Sequence, residues 1–79
     1  MKTKTLREQI TQIAERWIGR EYVEHVGKGH YPRMVNDCIL HAFDHNMDIF
    51  NAPIETRALH RARGLMSLCS WREDEPAIE

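Results

Sequence analysis

Residues 32–50, PRMVNDCILHAFDHNMDIF, form the most apolar run of the chain, lie at its middle and hold its tightest grouping of cysteine and histidine. At about 100° per residue, Val35, Ile39, Ala42, Phe43, Met47 and Phe50 fall on one broad face, with Leu40 at its margin. Asp37, His41, Asp44 and Asp48 fall opposite. The pattern predicts a helix with an apolar side that packs and an acidic, histidine-bearing side that meets water. Pro32 suits the first position of that helix, where its missing N–H has no intrahelical bond to lose.

Working outward, the N-terminal flank is also helical in period. Thr5 and Glu8 have the spacing of a capping box, so a first helix is expected to open at Thr5. Leu6, Ile10, Ile13, Ala14, Trp17 and Ile18 then recur on one stripe, while Arg7, Glu8, Gln12, Glu15 and Arg16 are expected to face water. Gly19 weakens this helix by about 1 kcal/mol relative to alanine. Tyr22, Val23 and Val26 nevertheless continue an apolar face, so the spacing leaves open a break at Gly19 or a run to Val26. Gly27-Lys28-Gly29 is the firm stop, and it lacks the remaining residues and the preceding strand of a phosphate loop.

The C-terminal flank repeats the arrangement. Asn51-Ala52-Pro53 opens a third helix whose stripe is Ile54, Ala58, Leu59, Ala62, Leu65, Met66 and Cys69, with Gly64 in its polar face. Trp71 is expected to fold back over one end of the core. The tail WREDEPAIE loses the period and is expected to fray from about Glu73. With no alternating strand pattern, the expected fold is all-α. It is a single domain over 1–79, a three-helix bundle with helices at about 5–26, 32–50 and 53–70, an ordered core at about 5–72 and a frayed acidic tail.

Composition narrows the function classes. At 79 residues, a single core supplies only ~3–5 kcal/mol of net stability, so help from a second chain is expected. Eleven Lys and Arg against twelve Asp and Glu give a net charge of −1, which supplies no overall drive toward nucleic acid or an anionic membrane. No apolar run approaches the ~18 residues that span a bilayer, and the charged N-terminus does not read as a signal peptide. A cytoplasmic protein with no membrane partner is expected, with Cys38 and Cys69 as reduced, partly buried thiols.

Four constellations carry candidate chemistry. Cys38, His41 and His45 have a C-x2-H-x3-H spacing with zinc-type ligands, although about 10 Å of helical rise separates the outer two. The paired cysteine knuckle of a zinc finger is missing, so this module is an alternative and no cofactor is expected. Asp37, His41, Asp44, His45 and Asp48 place carboxylates beside imidazoles, but one convex helical face offers neither a dry pocket nor an electrophilic stabiliser, which argues against an enzyme. Arg57, His60, Arg61 and Arg63 put a basic flank on the third helix, the basis of an alternative reading as a nucleic-acid-binding transcriptional regulator.

The fourth constellation has the fewest unmet requirements. Tyr22, Val26, Tyr31 and Met34 around the glycine turn, with Leu40 and Met47 on the margins of the middle helix, exceed what two neighbouring helices need to cover. Asp37, Asp44 and Asp48 supply an acidic stripe beside them. The expectation is a small non-enzymatic regulator, adaptor or inhibitor that binds another protein through this helical surface and forms a homodimer.

Overall fold

Thr5 holds an extended backbone (φ −88°, ψ 161°), and its Oγ1 accepts from the Glu8 N–H at 3.2 Å. The Glu8 carboxylate in turn accepts from the Thr5 hydroxyl at 3.3 Å. One otherwise unpaired first-turn donor is thereby satisfied, and α1 starts at the next residue, running Leu6–Trp17. A computed structural model, which describes residues 4–26, 30–45 and 53–79, continues with α2 (Arg20–Val26), α3 (Tyr31–Asp44) and α4 (Pro53–Ser67). The described residues are all-α, and none of their helices is long and apolar enough to cross a membrane.

The expected first helix is two helices. Gly19 sits at φ +136°, a region that side chains with a Cβ rarely enter, and its N–H closes α1 on the Ala14 carbonyl at 3.1 Å. A Cβ built at Gly19 would meet nothing within 4 Å, so backbone conformation alone, and not crowding, demands glycine here. The chain turns and α2 packs back on α1.

The start of α3 falls one residue earlier than expected, with Pro32 in its second position, and its end falls at Asp44 with His45 as the cap. The expected extension to 50, with Met47, Asp48 and Phe50, lies outside the described residues. At the end of α4, Cys69 adopts a left-handed backbone (φ 55°). Its N–H bonds the Met66 carbonyl at 3.1 Å, and the Ser70 N–H bonds the Leu65 carbonyl at 2.8 Å. This is the Schellman arrangement, with cysteine at the position where glycine is usual.

The core joins Leu6, Ile10, Ile13 and Ala14 of α1 to Tyr31, Met34, Val35, Cys38 and Ile39 of α3 and Ala58, Leu59 and Ala62 of α4. Ala14, Ala58 and Ala62 let the helices approach closely. Trp17, Leu65, Met66 and Trp71 close its edges. Trp71 does fold back, stacking on Tyr31 with ring centroids 4.6 Å apart.

The C-terminal segment corrects the sequence reading, because it docks where fraying was expected. Pro76 forms an isolated antiparallel bridge with Thr5, the Leu6 N–H donates to the Glu75 carbonyl at 2.7 Å, and the Ala77 N–H donates to the Lys4 carbonyl at 3.2 Å. Leu6 carries one of the amide donors that a helix start leaves without an intrahelical partner, so the segment finishes the N-terminus of α1. Ile78 packs on the core, and Glu73 and Glu75 pair with Arg7 and Arg61 at 2.6 and 2.7 Å.

Candidate functional site

Packing turns α3 about its axis relative to the face expected from hydropathy. The buried positions are Tyr31, Met34, Val35, Cys38 and Ile39, whereas Phe43 and Leu40 are 68% and 50% exposed. Phe43 was expected in the core and is outside it. The apolar arc of this helix is wider than α1 and α4 can cover, and those two helices meet it on the Tyr31–Cys38 side. Apolar side chains at the far edge of the arc are left in water.

Three residues expected to bind a partner are therefore core residues. Val26, Tyr31 and Met34 are only 6%, 5% and 2% exposed, so they fill the bundle and are not available to a partner. Tyr22 is partly buried and donates its hydroxyl proton to Asp37 Oδ2 at 2.5 Å, fastening α2 to α3. Arg33 Nε lies 3.6 Å from the same carboxylate, one turn away. Asp37 is thus engaged inside the fold, while Asp44 is exposed. Met47 and Asp48 lie outside the described residues.

A shallow groove runs between α3 and α4, lined by Pro32, Val35, Asn36 and Ile39 on one side and Arg63, Met66 and Ser67 on the other. Phe43 is one helical turn beyond Ile39, on the same side of α3. Asn36, Arg63 and Met66 were not singled out together by the sequence, because their shared position depends on how α3 and α4 pair. Leu68, 76% exposed just past α4, was likewise missed.

Cys38, His41 and His45 are not gathered into one ligand set. The Cys38 side chain is fully buried, and burial, with the Asp37 charge adding to it, pushes its thiol up to about 12. A metal needs the thiolate, which this environment opposes. His41 instead stacks on His45, with ring centroids 4.0 Å apart, and has the Trp17 ring 6.3 Å away. Among the described residues no group of three or more His, Cys, Asp or Glu is placed to hold a metal ion. Cys69, expected to be partly buried in the α4 stripe, is exposed because its left-handed backbone has left that helix.

The basic flank of α4 is divided. Arg57, His60 and Arg63 are exposed, but Arg61 Nη2 bonds Glu75 at 2.7 Å. Arg16 of α1 also places a guanidinium 2.8 Å from Glu55, at the start of α4. The docked C-terminal segment thus occupies one of the four basic side chains that a nucleic-acid surface on this helix would use.

Neither a protein-family model, a curated protein nor a solved structure matches this chain.

Proposed function

We propose that the chain is a small, non-enzymatic protein-binding module of the regulator, adaptor or inhibitor type, which works as a homodimer through the α3–α4 face. The observation that carries this reading is Phe43, 68% exposed and one helical turn from Ile39, which lines the α3–α4 groove with Met66. A large aromatic held in water beside apolar walls, methionine and arginine has the composition of an interface centre. Knob and groove lie on the same face, and a two-fold contact brings the same patch of each copy together. Phe43 of each copy would then enter the groove of the other. Asp44, next to Phe43, would meet Arg63 of the second copy, so the polar rim is complementary as well.

Light scattering over a concentration series tests the reading. A particle of twice 9.3 kDa is expected for the unaltered chain. Phe43→Asp is expected to give a monomer with an unchanged helical circular dichroism spectrum, since Phe43 contributes little to the core. A monomer at every concentration, or a dimer that Phe43→Asp leaves intact, would overturn the proposal.

A further inference from the structure

The C-terminal end of α3 carries a pair of imidazoles on one side of the helix. His41 and His45 are one turn apart, with ring centroids 4.0 Å from each other. His45 Nδ1 lies 3.0 Å from the His41 carbonyl oxygen. A carbonyl only accepts, so Nδ1 is the protonated nitrogen and Nε2 of His45 carries the free lone pair. The same device, a backbone carbonyl holding the second ring nitrogen, orients histidines that bind metals.

The surroundings favour a cation. The pair sits where α3 presents its last carbonyls, the negative end of the helix dipole. The Trp17 ring lies near His41, with centroids 6.3 Å apart. A metal taking two imidazole nitrogens at ~2.0–2.1 Å each needs them about 3 Å apart, so the stacked rings, 4.0 Å between centroids, must splay to turn their nitrogen edges toward one ion.

We infer that His41 and His45 form a surface chelate for a borderline transition-metal dication, copper(II) above zinc(II), with water completing the coordination. Imidazole nitrogens suit both ions, and copper(II) leads the first-row series for such donors. Cys38 takes no part, because its thiol lies on the core side. The inference stands apart from the protein-binding proposal, since Phe43 and the groove lie on another face of α3.

Copper(II) chloride and zinc(II) chloride, titrated separately into the full chain at pH 7.5 in a non-coordinating buffer, provide the test, read by calorimetry and by tryptophan fluorescence. One equivalent of copper(II) is expected to bind and to quench Trp17, with zinc(II) binding more weakly. His45→Ala is expected to weaken binding by at least about tenfold, a loss of the size seen when a metal site is disturbed. His45 is exposed, so that variant keeps the fold. Trp17→Phe is expected to retain the copper(II) and lose the quenching, which places the ion beside residue 17. Absence of saturable binding, or binding that His45→Ala leaves unchanged and that therefore resides on His25, His30 or His60, would overturn the inference.

Discussion

The Gln9 carboxamide and the main chain of Ile78 close a two-way hydrogen-bonded pair across 69 positions of sequence, Nε2 donating to the Ile78 carbonyl at 3.0 Å and Oε1 accepting from the Ile78 N–H at 2.8 Å. One side chain of α1 thus plays the part of a neighbouring strand for the last residues of the chain. Both bonds are partly buried, so each has more effect than a bond in open water. Gln9→Ala is expected to cost about 1–2 kcal/mol of stability in urea unfolding. Removing residues 73–79 is expected to cost more, because it also exposes the Leu6 N–H and the surface under Ile78. Unchanged midpoints for both variants would show that the segment contributes no stability.

Tyr31 is 5% exposed, yet its buried hydroxyl has no hydrogen-bond partner among the described residues. Its ring stacks on Trp71, and the Arg7 guanidinium lies 5.6 Å from its centroid. The ring therefore holds the site together while the oxygen costs desolvation. Tyr31→Phe is expected to be neutral or to stabilise by up to about 1 kcal/mol, whereas Tyr31→Ala is expected to destabilise by about 3–4 kcal/mol. Thermal denaturation of the two variants separates the contributions.

Two glycines of similar apparent role should respond in opposite directions. Gly19→Ala meets no steric obstacle but must place a Cβ at φ +136°, and a loss of about 1–3 kcal/mol is expected. Gly64 lies inside α4, also with open space around it, and Gly64→Ala is expected to gain about 0.5–1 kcal/mol through helix propensity. Cys69→Gly, relieving the left-handed backbone at φ 55°, should stabilise by about 1 kcal/mol. Denaturation midpoints with equal slopes would check all three.

The two thiols differ in environment, and labelling should separate them. One equivalent of thiol, Cys69, is expected to react rapidly with a disulfide reagent, and Cys38 to react only on unfolding. Burial raises the Cys38 pKa from its ordinary 9.0 to about 12, so folding favours the neutral thiol. That contribution is fully present below pH 9 and is lost as pH rises from there toward 12. Burial also raises the hydroxyls of Tyr22 and Tyr31, which steepens the fall above pH 10. The melting temperature is expected to decline from about pH 9, and Cys38→Ala to flatten the first part of that decline.

Local signals in the sequence were legible where the structure obeys local rules. The Thr5 cap, the Leu6–Ile10–Ile13–Ala14 stripe of α1 and the Ala58–Leu59–Ala62 stripe of α4 all rest on residues three or four apart, which the chain brings together by forming a helix at all. Trp71 was placed correctly for a similar reason, being a large apolar group just past the end of a helix. The candidate partner surface was less legible. Tyr31 and Phe43 both read as apolar positions on α3, and nothing in their spacing tells which one the neighbouring helices will cover.

Helical character and the absence of strand alternation were thus decided by the sequence alone, because propensity, capping and period act over one or two turns; the stop expected at Gly27-Lys28-Gly29 lies outside the described residues. Only the tertiary structure decided which arc of α3 is buried, whether Arg7 faces water or holds Glu73, and where residues 73–79 go. Those outcomes depend on contacts across as many as 73 positions, between Lys4 and Ala77, and a main-chain strap leaves no periodic trace in side-chain hydropathy. Its partners include the main chain of Lys4 and Leu6 and the Gln9 carboxamide, and their position relative to it exists only after α1, α3 and α4 have packed.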